Sequence, residues 1–97
     1  MILNKEQKTY LKKLSHNLRP IIQIGKEGLH PKLILTIEQA LVAHELIKIS
    51  ILKTLDTEIN QLVLDIIAKS NCHLVLKAGR VLVFYRKNKK DSKIVLP

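Results

Sequence analysis

Ile21-Ile22-Gln23-Ile24-Gly25-Lys26-Glu27-Gly28-Leu29-His30-Pro31 is the stretch on which the fold turns. Its opening residues are apolar except Gln23, as in a short buried strand. Pro31 suits the first position of a helix, where a missing N–H would be unpaired anyway. Between strand and helix lie two glycines, which reach φ > 0 without steric cost and let a backbone approach a partner closely. The first turn of the following helix is expected to offer unpaired N–H groups and the positive end of a dipole.

Upstream, Asn4 with Gln7 three residues on makes a capping box, which starts a helix running to about Leu14. Tyr10, Leu11 and Leu14 are its apolar stripe, and Lys5, Lys8 and Lys12 line another side. Downstream of Pro31, the apolar residues Leu33, Ile34, Ile37, Ala40 and Leu41 recur at helical spacing. His44-Glu45 breaks the period, and Leu46 to Leu52 switches to alternation with Ile47, Ile49 and Ile51 on one face. Asp56 is read as the N-cap of a third helix with Ile59, Leu62, Val63, Ile66 and Ile67 as its core stripe; Ser70-Asn71 closes it. Cys72–Leu76 and Val81–Tyr85 are strand-like, and Lys77-Ala78-Gly79-Arg80 between them reads as a hairpin turn.

The order α-β-α-β-α-β-β predicts an α/β fold with a four-stranded mixed sheet, parallel across the helical crossovers and antiparallel at the last pair. Helices two and three are expected on one face, with the first helix alongside. Residues 1–87 form one domain, and 88–97 a basic tail, flexible or loosely docked.

With 97 residues the chain supports a single core. Its apolar stretches fall far short of the roughly 20 residues of a membrane span. Lysines from Lys5 onward leave no signal-peptide core. A lone cysteine, Cys72, fits a reducing compartment. The expectation is a small soluble cytoplasmic domain, not a membrane protein.

The formal charge is +9 and is segregated along the chain. Six basic residues against Glu6 give +5 over residues 1–26; three against six acids give −3 over 27–68; eight against Asp91 give +7 over 69–97. If the two ends meet, they make one positive face, the footprint of a polyanion partner. Lys26 between the glycines makes phosphate the natural guest of the loop.

The loop is neither a P-loop, which ends in Gly-Lys-Ser/Thr, nor a dinucleotide fingerprint, which needs a third glycine. The module it compares with is KH, where Gly-x-x-Gly clamps a nucleotide backbone. Tyr10, Phe84 and Tyr85 are the only aromatics, too few for reading bases by stacking, so contacts to the backbone of structured RNA are expected. Phe84 is assigned to the core and Tyr85 to packing at a sheet edge, with stacking on one base as its alternative. His30 is placed to cap the second helix or to touch a phosphate. His16, His30, His44 and His73 share no metal-ligand spacing with one another or with Cys72, and neighbouring Cys72 and His73 would point to opposite faces of a strand. No catalytic group, metal site, cofactor or small-molecule substrate is expected.

The runs Ile22–Leu29, Ile37–Leu41 and His44–Lys48, with Leu82–Arg86 near the end, resemble the bacterial YhbY family. Its members are stand-alone CRM (chloroplast RNA splicing and ribosome maturation) domains. The resemblance covers nearly the whole chain. It implies a fold related to the C-terminal domain of translation initiation factor three, RNA binding, and association with precursors of the large ribosomal subunit. It places the family's loop on Gly25, Lys26, Glu27 and Gly28 and its basic surface on Lys12, Lys13, Arg19 and Arg86. Glu27 departs from the family, which often carries a polar or basic residue there. Together the readings nominate Gly25, Lys26, Gly28, Lys8, Lys12, Lys13, Arg19, Lys32, Arg86 and Lys87 as RNA-binding, with ribosomal RNA as the partner. The alternative is an adaptor that docks on acidic surfaces of ribosomal proteins or assembly factors.

Overall fold

A computed structural model describes residues 2–97. Its elements are α1 (Lys5–Ser15), β1 (Ile22–Ile24), α2 (Pro31–His44), β2 (Leu46–Ile51), α3 (Ile59–Ser70), β3 (His73–Ala78) and β4 (Val81–Tyr85), the order expected from the sequence. The four strands form one mixed sheet in the order β1-β2-β4-β3. β1 runs parallel to β2, with Ile24 beside Ile51. β4 is antiparallel to both β2 and β3 and pairs Tyr85 with Leu46 and with His73.

Local chemistry sets most of the boundaries. The Gln7 N–H donates to Asn4 Oδ1 at 2.8 Å and the Asn4 N–H to Gln7 Oε1 at 3.1 Å, the reciprocal pair of a capping box. Asn71 ends α3 in the left-handed region, at φ 49°. Gly79, at φ +57°, takes the first central position of the two-residue β3–β4 turn. The N-terminus of α3 corrects the sequence reading: the cap is Glu58, not Asp56, and no side-chain bond closes it. Ile59 opens the helix three residues after Asp56, which leaves that carboxylate upstream of the first turn.

Both faces of the sheet are covered. On one, Ile22, Ile24, Ile47, Ile49, Leu82 and Phe84 pack with Ile37 and Leu41 of α2 and Leu62, Val63 and Ile66 of α3. The other gathers Leu46, Val75, Val83 and Tyr85 under Leu3 and Leu11. α1 therefore lies across the sheet from α2 and α3, not alongside them. The apolar run Val81–Tyr85 explains why: an interior strand that is apolar at successive positions presents both its faces for burial. Tyr85 is fully buried in that interior strand, not at an edge, so it has no face for a nucleobase.

The segment 88–97 is also more firmly held than a loosely docked tail. Ile94 and Leu96 pack on the second cluster, and Glu45 is the anchor. This residue alone joins α2 to β2, at φ 63°, and is fully buried. Its carboxylate accepts the N–H groups of Asn88 at 2.8 Å, Ile94 at 3.0 Å and Lys93, and the Ser92 hydroxyl at 3.0 Å. Burial pushes its pKa up, but those four donors outweigh burial and hold it below the usual glutamate value.

Candidate nucleic-acid interface

The loop between β1 and α2 closes on itself. The Gly28 N–H donates to the Gly25 carbonyl at 2.9 Å and leaves Lys26 and Glu27 exposed at the tip. The two glycines serve different needs. Gly28 is at φ +62° with open space where a Cβ would stand, so conformation requires it. At Gly25 a Cβ would lie 3.0 Å from Thr54 Oγ1 and 3.1 Å from Leu52 Cδ1, so close packing on the exit of β2 requires it.

The start of α2 offers an anion less than the sequence promises. Pro31 has no N–H, and that of Leu33 donates to Nδ1 of His30, the N-cap, at 3.2 Å. The Ile34 N–H bonds the His30 carbonyl in the ordinary helical pattern. Of the first three helical residues only Lys32 keeps an N–H for a ligand. Of the roles open to His30, Nδ1 takes capping, while Nε2 lies 3.6 Å from the exposed Glu27 carboxylate. What the loop has to offer an anion is therefore the Lys26 ammonium and the loop backbone rather than a helix dipole alone.

The sheet register sorts the nominated residues into groups. Gly25, Lys26, Gly28 and Lys32 sit where parallel β1 and β2 end. Arg86 and Lys87 follow β4, whose last residue faces the beginning of β2, so they lie at the opposite end of the sheet. Arg86 Nη1 donates to Glu38 Oε1 at 2.6 Å and to the Ser70 carbonyl at 2.9 Å, tying β4 to α2 and α3. Its charge is largely matched within the protein. Lys8, Lys12 and Lys13 are exposed on α1, across the sheet from α2. Lys8 is near His73, whose pKa is lowered by burial and by surrounding positive charge that includes Lys8. Arg19 stands before β1 and lines an apolar groove of about 390 Å³ with Leu14, Leu18, Ile21, His44 and Lys48.

The fold thus does not gather all the nominated cations around the loop. It does place Arg19 shortly before and Lys26 shortly after edge strand β1, with exposed Gln23 between them. Two cations near the loop escaped the sequence reading. Exposed Lys53 follows Leu52, which packs on Gly25. Arg80 in the hairpin turn donates from Nη1 to the Leu52 carbonyl at 3.2 Å. The usable signal was the topology itself: parallel neighbours finish at the same end of a sheet, and an antiparallel partner starts there.

Burial pushes the Cys72 thiol up to about 12, despite a countervailing effect of Arg86, so it is no nucleophile at neutral pH. Among the described residues no group of three or more His, Cys, Asp or Glu side chains could hold a metal ion. Among them, too, no helix is long and apolar enough to cross a membrane.

Fold and site together define a small α/β domain with an exposed Gly-Lys-Glu-Gly bend and cations distributed over its surface. The CRS1/YhbY (CRM) domain model matches residues 3–86, and the chain belongs to that family. It is 35% identical over 96 residues to the Probable RNA-binding protein YqeI of Bacillus subtilis, covering 99% of this chain and 100% of that one. It is 38% identical over 96 residues to a protein of Haemophilus influenzae named RNA-binding protein, covering 98% and 95%. The solution structure of the hypothetical protein SAV1595 from Staphylococcus aureus superposes with a TM-score of 0.81 at 35% identity, covering 99% of this chain and 100% of that one.

Proposed function

We propose that this protein binds structured RNA through its phosphate backbone and performs no chemistry on it. The observation that carries the reading is the Gly25–Gly28 bend: it is closed by its own hydrogen bond, open at Gly28, and presents Lys26 outward. The names of the relatives support RNA as the polyanion. Buried Tyr85 and Phe84 support backbone and shape recognition over stacking, since they leave no aromatic platform on the sheet. The strand follows edge β1, with Arg19 at one end and Lys26 and Lys32 at the other, and Lys12 and Lys13 on α1 extend the basic surface. Residues 19 to 26 span at most about 23 Å of extended chain, room for several phosphates.

Ribosomal RNA in large-subunit precursors, within the cytoplasm, is the setting the family resemblance implies, and assistance to assembly is the role. Titration of a labelled ribosomal RNA fragment against salt tests the site. Each lost phosphate contact lowers the slope of log affinity against log salt by about 0.9 in duplex RNA if it behaves like duplex DNA. The Lys12/Lys13/Lys26 triple alanine variant should therefore bind more weakly and with a flatter slope. Unchanged affinity would remove these residues from the interface.

The groove beside Arg19 favours one other reading, an adaptor for a protein segment with aliphatic anchors and acidic flanks. It is walled by Leu14, Leu18 and Ile21 and rimmed by Arg19 and Lys48. Crosslinking in cells separates the two, since adducts to protein and none to RNA would favour the adaptor.

A further inference from the structure

The densest group of cations lies far from the Gly25–Gly28 loop. A cleft of about 790 Å³ opens between the C-terminal ends of α2 and α3 and the segment after β4. Lys69, Arg86, Lys87, Lys89, Lys90 and Lys93 line it, against Glu38 and Asp91. Arg86 and Glu38 neutralise each other at 2.6 Å, so the five lining lysines face Asp91 and the Glu45 carboxylate beneath the segment, a balance of +3.

Ordinary helix capping accounts for part of this. Lys93 Nζ donates to the Ala43 carbonyl at 2.7 Å, and Lys69 is in the last turn of α3. Lys87, Lys89 and Lys90 are exposed and serve no such purpose. On a free tail their mutual repulsion would spread them apart. Here both ends of the short segment 89–91 are pinned. Asn88 donates its N–H to Glu45 and its side-chain amide to the Val42 carbonyl at 2.8 Å. Beyond the segment, Ser92, Lys93 and Ile94 all donate to the same Glu45 carboxylate. A buried acid thus holds a lysine loop over the cleft, and the ordering cost of the loop is met before any ligand arrives.

We propose that this cleft is a second phosphodiester-binding site, with Lys69, Lys87, Lys89 and Lys90 as its donors. It rests on the RNA-binding reading and extends it to the opposite end of the sheet. Three of these lysines follow residue 86, where the match to the family model ends. One structured RNA longer than the 37 Å length of the molecule occupies loop and cleft together.

The test uses a labelled RNA stem of roughly 20 base pairs, its affinity measured from about 50 to 200 mM salt. The Lys87/Lys89/Lys90 triple alanine variant changes exposed side chains only, and its fold is checked by circular dichroism. Losing three phosphate contacts lowers the salt slope by about 2.7, so wild type should lose about 40-fold more affinity than the variant over that range. An unchanged slope in this variant, with the Lys12/Lys13/Lys26 variant impaired, overturns the cleft and leaves the loop reading standing. The opposite pattern supports the cleft and removes the loop. A folded wild-type protein that does not bind the stem overturns both.

Discussion

Replacing Glu45 with alanine tests whether residues 88–97 belong to the folded domain. The carboxylate accepts four hydrogen bonds, from Asn88, Ser92, Lys93 and Ile94. At about 1.5–3 kcal/mol for each bond to a charged group, the gross loss is about 6–12 kcal/mol. The realised loss is smaller, because the segment can detach and hydrate its freed N–H groups. What then disappears is the docking of the segment itself. Half-burial of Ile94 and Leu96 contributes about 1–1.5 kcal/mol each, and the remainder of the hydrogen-bond set about 1 kcal/mol. The expected cost is therefore about 3 kcal/mol, a fall in Tm of about 12–24 °C for a domain of this size. Urea and thermal unfolding followed by circular dichroism measure it. A chain ending at Lys87 should lose a similar amount, and E45A in that shortened chain should cost less than about 1 kcal/mol, since both changes delete the same contacts. Additive losses, or an E45A cost below about 1 kcal/mol in the full chain, would refute the clasp.

The same carboxylate makes stability pH-dependent. Its folded pKa lies below the ordinary 4.5, so its contribution is present above that value and is lost as pH falls through the folded pKa. The urea midpoint should drop more steeply below about pH 5 in wild type than in E45Q. Tyr85→Phe should be neutral within about 0.5 kcal/mol or stabilising, because the buried hydroxyl has no hydrogen-bond partner; a loss above about 1 kcal/mol would reveal one. Cys72 should resist a thiol reagent in the native protein and react at once in guanidinium, as a buried thiol raised to about 12 requires. Fast native labelling would show that α3 and β3 open readily.

Most elements were legible because their signals are local. Asn4 and Gln7 satisfy each other three residues apart, Pro31 fits a first helical turn, and Gly79 supplies a hairpin's positive φ. The Asp56 reading failed because side-chain preference favours Asp at an N-cap, whereas the backbone turns helical only at Ile59 and leaves Glu58, with no side-chain bond, in the cap position. For His30 the sequence leaves capping and phosphate contact open, and the N–H of Leu33 donating to its Nδ1 selects capping for that nitrogen. The candidate site was less legible. Lys26 and its glycines are contiguous, whereas Lys53 and Arg80 reach the loop only through strand pairing.

The sequence alone determined the order of elements, the mixed sheet and the exposed lysine between two glycines, since each depends on periodicity or on neighbours a few residues apart. Only the tertiary structure decided which cations stand together. An antiparallel β4 carries Arg86 and Lys87 away from the loop, and the doubly apolar Val81–Tyr85 run draws α1 to the far face. It also gave Glu45 its task. An acid between a helix and a strand reads as surface charge until folding surrounds it with the N–H groups of a segment more than 40 residues away. Burial, register and long-range hydrogen bonds depend on pairs of residues distant in the chain, and no local pattern encodes them.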